Sequence, residues 1–429
     1  MSPVNFQQFY SYAQLTNYLR RLTKEAPALA RLRSMGESRE GRQLWVLEIT
    51  NGATGAAAEK PAYLVHANIH AAEVAGTMSG LALCHHLLSQ FGRDEAVTRL
   101  LDNVAFYVIP RLNPDGAEYA LRTGGAIRSR FAVRREANTL IPQDVNGDGL
   151  ILTMRWQDAH GNLRLDPDEP RRLLPRQPHD PGPFYRVATE GIIHDWDGGE
   201  FHEATRTFDW NRNWGANWQP EHVQFGAGDF PFSEPEMRAL AEFVFAHPNI
   251  FGMLGFHTGP QALLRPPASI SEDEFPDGDL RAMKELGRKG VELTGFPLYA
   301  VTDYHHADEK PNCLRGHFTE WGYEHVGLFV FEIELGTLHT SAGISTQASF
   351  ESTEEQRRDF EKRLLQWHDA HPDYGAFVNW QPFSHPQLGA VEIGGWKRYL
   401  WANPSLDDLP AISERAIKFI MEHASRFPQ

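Results

Sequence analysis

In the segment PAYLVHANIHAAEVAG, residues 61–76, an apolar run ends in Asn68, His70 and Glu73, and a helix-like segment begins. Residues 62–67 are short, mostly apolar and preceded by a proline, which is typical of a buried β-strand. From residue 71 to about residue 90, small and apolar residues recur at helical spacing. His70 and Glu73 therefore lie where a strand gives way to a helix, and this is the edge at which open α/β sheets bind ligands.

One imidazole and one carboxylate, three residues apart, can reach a single Zn²⁺, which takes such N and O ligands at about 2.0–2.2 Å. The His-x-x-Glu pattern alone does not identify a metal site, because the chain contains it three times. The three pairs are His70/Glu73, His306/Glu309 and His317/Glu320. The buried strand before the first pair, together with the residues downstream, favours a metal site there over a solvated helix start.

Composition excludes several classes of protein. The 429 residues include 41 basic and 56 acidic side chains, a net charge of −15, with no lysine- or arginine-rich run. This balance argues against a nucleic-acid or anionic-membrane surface. Two cysteines cannot form a disulfide framework, and neither a signal region nor a bilayer-spanning apolar stretch is visible. We expect a cytoplasmic enzyme that binds neither nucleic acid nor membranes; the oligomeric state is not predicted.

Two further apolar runs lead into polar residues. Residues 104–109 are followed by the turn NPDG at residues 113–116 and, after a glycine pair, by Arg128. Residues 249–256 are followed directly by His257. Both runs predict buried strands, so their polar residues are expected at strand ends.

Two other segments place polar side chains among apolar ones. The segment FDWNRNW sets Asn211 and Arg212 between aromatic residues, where an arginine can bind a carboxylate through two parallel hydrogen bonds. The segment LFVFEIEL carries Glu332 and Glu334, which are two residues apart and so face the same way on a strand. Two carboxylates are unusual in a buried strand unless that face meets a metal or a polar site.

The region from about residue 138 to residue 207 is rich in Pro, Asp, Arg and Gly and is too long for a simple connection. Residues 150–156 and 163–165 flank the turn-like DAHGN and are predicted to pair as a hairpin.

The same region contains Asp144, Asn146 and Asp148, which alternate like the oxygen ligands of a calcium loop. An EF-hand is excluded because its twelfth position, which needs a bidentate Glu, is Arg155. Two interpretations stay open, a structural Ca²⁺ site and a plain turn of the Asn-Gly and Asp-Gly type.

Together, these strand ends carry the groups that metal-assisted hydrolysis needs. Two histidines and one glutamate leave the fourth tetrahedral position of a zinc ion open to water, as in catalytic sites. A further carboxylate can take the proton of that water, and an arginine can stabilise the oxyanion.

In their order and spacing, these segments resemble the zinc carboxypeptidases related to pancreatic carboxypeptidase A. The matching segments are IHAAE, NPDG with the arginine-bearing stretch after it, FDWNRNW, GFHT, EWGY and FVFEIEL, which span most of residues 36–336. The opening GESREGR and the tail HPQLG…VEIGGW look like those of large bacterial members. The resemblance implies an α/β fold with a mixed central sheet flanked by helices. We expect a single catalytic domain over residues 1–429, with an insert at about 138–207 and a C-terminal extension at about 350–429.

The resemblance also implies roles for individual residues. One Zn²⁺ would be bound by His70, Glu73 and His257. Arg128 would polarise the scissile carbonyl. Asn211 and Arg212 would bind the terminal carboxylate of the substrate.

The general base implied by the resemblance is Glu334, because it follows Trp321 and Tyr323 at the distance found in the family. Glu332 is the alternative, since FVFE also resembles the strand of the family. The mobile tyrosine of the family has no clear match, and Tyr304 is assigned to it.

Two positions depart from the digestive enzymes of the family. Ala72 stands where they carry arginine, and Gly259 stands where they carry tyrosine. Both positions concern substrate contacts beyond the scissile bond, so the departures affect the expected specificity more than the expected chemistry.

The function that follows is a zinc metallocarboxypeptidase that cleaves the C-terminal peptide bond of peptides with a zinc-bound water activated by Glu334. The first alternative is a zinc amidase or deacylase acting on peptidoglycan stem peptides or acylated amino acids. These two enzymes differ in whether the substrate needs a free α-carboxylate next to the scissile bond. The second alternative is a zinc-binding module without turnover.

Overall fold

The strands of the chain alternate with helices over most of its length. This computed structural model describes residues 1–125, 127–133, 136–203, 205–304 and 314–426. In chain order, the strands in these ranges are β1 (Ala30–Glu37), β2 (Gln43–Ile49), β3 (Ala62–Ala67), β4 (Ala105–Ile109), β5 (Arg130–Val133), β6 (Thr139–Pro142), β7 (Thr153–Gln157), β8 (Leu163–Leu165), β9 (Leu173–Pro175), β10 (Phe184–Thr189), β11 (Gly191–His194), β12 (His202–Glu203), β13 (Thr205–Phe208), β14 (Ile250–His257), β15 (Ala262–Arg265), β16 (Leu298–Ala300), β17 (Phe329–Glu334), β18 (Phe377–His385) and β19 (Gly389–Trp396).

The helices of the described ranges, in the same order, are α1 (Tyr12–Glu25), α2 (Val74–Gln90), α3 (Glu95–Asn103), α4 (Pro114–Thr123), α5 (Pro235–Ala246), α6 (Asp277–Thr294), α7 (Val301–Tyr304), α8 (Phe318–Glu324), α9 (Leu338–Ser341), α10 (Thr346–Glu351), α11 (Glu354–Ala370), α12 (Arg398–Trp401) and α13 (Leu409–Ala424). Helix α13 packs against α2 and α6, and α5 packs against β1. Among these helices, none combines the length and the apolar character needed to cross a bilayer.

A mixed sheet lies at the centre of the fold. Within the described residues it has eight strands in the order β1-β2-β4-β3-β14-β17-β15-β16. The inner strands β4, β3, β14 and β17 run parallel to one another, whereas β1, β2 and β15 introduce antiparallel pairs. Inner parallel strands are covered on both faces, which explains why every residue of β3 is buried. The predicted mixed sheet flanked by helices is confirmed.

The main elements that the sequence predicts around the site are present. Strand β3 covers the predicted residues 62–67, and β4, β14 and β17 occupy the other three apolar runs to within a few residues. Helix α2 begins at Val74, after the metal-ligand candidates. The carboxyl ends of β3, β14 and β17 therefore meet at one edge of the sheet.

The insert and the C-terminal extension form one sheet with each other. Its order among the described residues is β18-β19-β7-β10-β8-β9, so strands of the extension pair with strands of the insert. The predicted hairpin between residues 150–156 and 163–165 is wrong, because β10 lies between β7 and β8 and pairs with both. Strand β10 is therefore the backbone partner of both strands, and a local turn signal cannot reveal a partner from later in the chain. The single-domain organisation stays a prediction.

Buried polar contacts tie the extension to the rest of the chain. The Nε of Arg155 in the insert donates to Glu392 in β19 at 2.8 Å. Asn403, just after α12, is fully buried, and its Nδ2 donates to Ala72 O at 2.7 Å. Its Oδ1 accepts from the N–H of Ala75 at 2.8 Å. Asn403 thus connects the extension to the backbone on both sides of Glu73.

We expect Asn403→Ala to lower the free energy of unfolding by about 2–4 kcal/mol, because it leaves a buried carbonyl and a buried N–H without their partner. Urea denaturation measures this loss. Asn103→Ala, at an exposed helix end, is the matched control and should change stability by less than about 0.5 kcal/mol. Equal losses in the two variants would contradict the role of Asn403.

Candidate active site

A turn stabilised by Asn68 presents the first two candidate ligands. Asn68 has a φ of 59°, in the left-handed region that asparagine tolerates better than most residues. Its Nδ2 donates to His70 O at 2.7 Å and to Ala71 O at 3.2 Å. The turn ends strand β3 within three residues, so His70 and Glu73 lie at the carboxyl edge of the sheet.

The NPDG turn brings Arg128 to the same edge. Asn113 Nδ2 donates to Ser129 O at 2.7 Å, and the N–H of Ala71 donates to Arg128 O at 2.7 Å. A Cβ at Gly116 would lie 2.5 Å from the Cβ of Ala71, so only glycine allows this approach. Local backbone contacts therefore fix Arg128 beside the segment that carries His70 and Glu73.

Strand register supplies the third ligand and the candidate base. Strands β14 and β17 are parallel, and His257 and Glu334 are Cα partners at their carboxyl ends. Glu332, two residues earlier, is the Cα partner of Gly255. Because residues two apart share a face, both glutamates point toward the metal-ligand candidates, as the sequence predicts.

His70, Glu73 and His257 converge on one point and are all buried. Nδ1 of His70 lies 2.8 Å from Oε1 of Glu73 and 3.2 Å from Nδ1 of His257. Nδ1 of His257 lies 3.2 Å from Oε2 of Glu73. The backbone N–H of Thr258 also donates to Glu73 Oε2 at 3.1 Å, which fixes this carboxylate.

Two further carboxylates face the opposite nitrogens of the histidines. His70 Nε2 lies 3.2 Å from Asp209 Oδ1, and His257 Nε2 lies 3.2 Å from Glu332 Oε1, within ion-pair distance. Burial raises the pKa of Asp209, but Arg128, Arg212 and His70 outweigh burial and hold the pKa well below its usual range. An ionised Asp209 can only accept, so a proton on Nε2 of His70 would satisfy it and leave Nδ1 free to bind a cation beside Glu73.

The arrangement fits a metal cation. If both Nε2 atoms carry protons, the two Nδ1 atoms present lone pairs to each other and to the carboxylate of Glu73. Three acceptors that converge in a buried site repel one another unless a cation lies between them. Tetrahedral zinc ligands at about 2.0–2.2 Å from the ion are about 3.3–3.6 Å apart, slightly more than the observed spacing. Carboxylates that hold the outer nitrogens of metal-binding histidines are a recurrent support for such sites.

Arg128 lies at the rim of this cluster. Its Nε donates to Asp209 Oδ2 at 2.9 Å, and its Nη1 donates to Glu73 Oε1 at 3.3 Å. Its side chain keeps 38% exposure, unlike the buried ligands. The guanidinium is therefore held beside the metal-ligand cluster and open to the cleft.

Asn211 and Glu332 belong to a buried network beneath the cluster. Asn211 Nδ2 donates to Glu332 Oε1 at 3.0 Å and lies 3.1 Å from His317 Nε2, while its Oδ1 accepts from the N–H of Phe318 at 2.8 Å. Both N–H groups of the amide are thus engaged inside the protein. In this arrangement, Asn211 supports Glu332 and presents no free donor to a substrate.

Glu334 and Tyr304 lie next to Gly259. A Cβ at Gly259 would come within 2.5 Å of Tyr304 Oη and 2.9 Å of Glu334 Oε2, so a side chain there would displace one of them. The hydroxyl of Tyr304 donates to Pro260 O at 2.8 Å. Burial, and then the charge of Glu334, raise the pKa of Tyr304 well above its usual range, so the hydroxyl keeps its proton.

The two carboxylates of β17 have different surroundings. Burial raises the pKa of Glu332, but His317 and His257 outweigh burial and hold the pKa below its usual range. Burial, together with Glu73 and Glu332, raises the pKa of Glu334. A bound cation would lower the pKa of Glu334, because a positive charge nearby favours the ionised carboxylate. Glu332 is thus held ionised by its contacts with His257, His317 and Asn211. Glu334 is the carboxylate that is suited to exchange a proton.

Arg212 is buried on the far side of Asp209. Its Nη1 donates to Asn211 O at 2.7 Å, and its Nη2 lies 3.8 Å from Asp209 Oδ2. These contacts use only part of the five donors of a guanidinium. Of the two residues predicted to bind the terminal carboxylate, Asn211 and Arg212, it is therefore Arg212 that is suited to do so.

The loop with the calcium-like spacing stabilises itself. Asp144 accepts from the N–H groups of Gly147 and Gly149, and Asn146 Oδ1 accepts from the N–H of Asp148. Such contacts are typical of an Asx-type turn. A Ca²⁺ site at Asp144, Asn146 and Asp148 gains no support: these side chains bond the loop's own backbone, and among the described residues the His, Cys, Asp and Glu side chains that converge closely enough for a metal ion are His70, Glu73 and His257.

The other two His-x-x-Glu patterns do not form a second site among the described residues. His306 and Glu309 lie outside the described ranges. His317 lies in the network beneath the cluster, whereas Glu320 accepts from Ser269, so this pair does not converge.

Asp209 is a residue of the site to which no sequence motif assigned a role. It lies in FDWNRNW, two residues before Asn211, and a buried acid between aromatic residues is the signal that could have revealed it. His317 was noted only as part of a pattern, and its contact with Glu332 depends on a tertiary approach that spacing does not encode.

A cleft of about 840 Å³ opens onto the cluster. Its inner wall includes His70, Glu73, Arg128 and Gly259. Its outer wall comes from the C-terminal extension, which no site motif of the sequence had indicated. The cleft is large enough for several residues of a peptide.

Comparison with known proteins agrees with this geometry. A family model described as zinc carboxypeptidase (Peptidase_M14) matches residues 15–356. Carboxypeptidase A1 of Rattus norvegicus is 23% identical over 338 residues, which cover 77% of this chain and 63% of that protein. Carboxypeptidase D of Drosophila melanogaster is 29% identical over 169 residues, which cover 39% of this chain and 11% of that protein. The matched part is thus a small fraction of the length of the carboxypeptidase D relatives.

Solved structures show the same fold. Thrombin activatable fibrinolysis inhibitor aligns with a TM-score of 0.60 and 14% identity, covering 99% of this chain and 75% of that one. Carboxypeptidase A of Helicoverpa armigera aligns with a TM-score of 0.52 and 18% identity, and the alignment covers 84% of this chain and 75% of that one. At these identities the likeness concerns the fold.

We expect Asp209→Asn and Glu332→Gln each to weaken zinc binding by about 10- to 100-fold, because each removes the charge that holds the outer nitrogen of a ligand histidine. Competition with a chromogenic chelator measures the affinity. Glu242→Gln, an exposed carboxylate on α5, is the matched control and should leave the affinity unchanged. Unchanged affinity in the two test variants would show that the carboxylates do not support the metal.

Proposed function

Because the chain belongs to the zinc carboxypeptidase family and is a metallopeptidase, we propose that it removes the C-terminal residue of peptides. The observation that carries the proposal is the buried cluster of His70, Glu73 and His257 with Glu334 and Arg128 beside it. The family implies zinc, and the donor set of two nitrogens and one carboxylate suits it. A bound zinc ion supplies a Lewis acid and lowers the pKa of a water molecule.

The roles of the surrounding side chains follow from their positions. Glu334, which lies beside the cluster at Gly259, takes the proton of the attacking water and later gives it to the leaving amine. Arg128 donates to the carbonyl oxygen as negative charge develops there. Tyr304, with its proton retained, is proposed to donate to the substrate near the scissile bond.

Selectivity for a chain end requires an anchor for the terminal carboxylate. Arg212 is proposed as this anchor, because its guanidinium is buried close to the cluster and can form two parallel hydrogen bonds. Asn211 is proposed to act mainly by holding Glu332 and the backbone of Phe318. A peptide bound this way has its last peptide bond over the metal cluster.

We also propose that the substrate is a peptide and that the protein acts in the cytoplasm. The amidase or deacylase alternative is distinguished by the requirement for a free carboxylate, as tested below.

With zinc in excess, Glu334→Gln should lower kcat by about 10²–10⁴-fold and leave the metal content unchanged, since a general base is lost but no ligand. Glu332→Gln should have a milder effect on kcat under the same conditions. Peptide hydrolysis and elemental analysis of the two variants provide the comparison. The opposite order would identify Glu332 as the base.

Arg212→Ala should cripple cleavage of peptides with a free C-terminus by roughly 30- to several thousand-fold, because one partner of a buried charge pair is lost. C-terminal amidation of the peptide should harm the wild type to a similar degree. The two losses should not add, since each removes the same contact.

Two controls complete this test. Arg212→Lys keeps the charge but not the two parallel hydrogen bonds, so its loss should be intermediate. Arg238→Ala, on the exposed side of α5, should cleave both peptides like the wild type. If the wild type cleaves free and amidated peptides equally well, the amidase interpretation replaces the exopeptidase one.

A further inference from the structure

The C-terminal extension builds an aromatic wall on the cleft. The residues of the extension that form this wall are Phe360, Leu364, Trp396 and Trp401. Trp401 keeps 37% exposure, although an indole is among the largest apolar side chains. The ring of His339 meets Trp401 edge-on at 4.9 Å, so the indole is held by a packed neighbour. An ordered and partly uncovered aromatic side chain beside a metal cluster is suited to contact a ligand.

The wall is fixed relative to the metal cluster. Asn403, two residues after Trp401, bonds the backbone of Ala72 and Ala75 on either side of Glu73. The wall and a metal ligand therefore share one buried set of hydrogen bonds. A ligand on the wall is thus presented at a defined distance from Glu73.

A second cavity of about 380 Å³ continues from the cleft along the insert. Ile127, Arg128 and Arg398 line both cavities, and Leu152 and Val187 of the insert line only the second. We call the two cavities together the extension groove. The sheet shared by the insert and the extension forms a continuous support for it.

The position of the groove indicates which part of a substrate it receives. Arg128 lines the groove, whereas neither Arg212 nor Asn211 is among the described residues that line it. If the terminal carboxylate is bound by Arg212, the chain that precedes the scissile bond leaves the metal cluster on the side of Arg128. That side is the extension groove.

We propose that the extension groove binds the residues on the amino side of the scissile bond and selects a bulky apolar side chain there, with Trp401 as a specificity-determining contact. This inference rests on the proposed exopeptidase function, because Arg212 sets the direction of the substrate. Burial of an apolar side chain against a preformed aromatic wall favours binding without a further cost of ordering the protein. Peptides with glycine at that position lose this contact.

The experiment compares peptides of equal length and identical C-terminal residue that carry phenylalanine or glycine at one of the three positions before the scissile bond. For the wild type, we expect the phenylalanine peptide to exceed the glycine peptide by at least about 10-fold in kcat/KM at one position. In Trp401→Ala this ratio should fall to about 1, and in Trp401→Phe it should be intermediate. Phe245→Ala removes an aromatic side chain with 59% exposure on α5 and should keep the wild-type ratio.

Binding of the same peptides, measured by calorimetry, separates this inference from the proposed function. If no peptide is hydrolysed but the phenylalanine peptide binds more tightly to the wild type than to Trp401→Ala, the proposed exopeptidase function is wrong. The proposal that the extension groove binds an apolar side chain through Trp401 is then still supported. A wild type without preference, or a ratio unchanged by Trp401→Ala in a variant with a normal melting temperature, overturns the proposal.

Discussion

The site depends on two carboxylates that face the outer nitrogens of the ligand histidines. Asp209 and Glu332 lie 3.2 Å from Nε2 of His70 and His257, so a proton on each Nε2 would be directed outward, toward a carboxylate. Both Nδ1 atoms are then acceptors and converge with Glu73. In that protonation state, three converging acceptors in a buried site are favourable only with a cation among them, so the arrangement fits a metal site. Parallel strands β14 and β17 place His257 and Glu332, and the turn stabilised by Asn68 brings His70 and Glu73 to the same edge.

The position of Glu73 also depends on the C-terminal extension, which lies outside the central sheet. Glu73 is flanked by backbone groups that Asn403 of the extension binds. The extension in turn pairs with the insert in one sheet, and both regions line the groove that leads to the metal cluster. Regions that look like additions to a smaller enzyme thus contribute to the geometry of the cleft.

Much of the fold could be predicted from local pattern, because buried parallel strands are continuous apolar runs and the residues after them lie at one edge. His70, Glu73 and His257 were recognised for this reason, and the family resemblance added order and spacing. The pairing of β7 with β10 and β19 could not be predicted, since a turn signal reveals only sequence neighbours. Asp209 was missed for a similar reason, because its partner is distant in the chain. Asn211 faces Glu332 instead of the cleft, because its contacts with Glu332 and Phe318 depend on tertiary packing, which the local sequence does not show.

We expect a zinc ion to be bound through Nδ1 of both histidines, with Asp209 and Glu332 facing the Nε2 atoms. Anomalous diffraction from crystals of the zinc-loaded protein, collected on both sides of the zinc absorption edge, locates the ion. One strong peak per chain should lie within about 2.0–2.2 Å of Nδ1 of His70, Nδ1 of His257 and the Glu73 carboxylate. A peak at other residues, or coordination through Nε2 with Asp209 and Glu332 displaced, would contradict it.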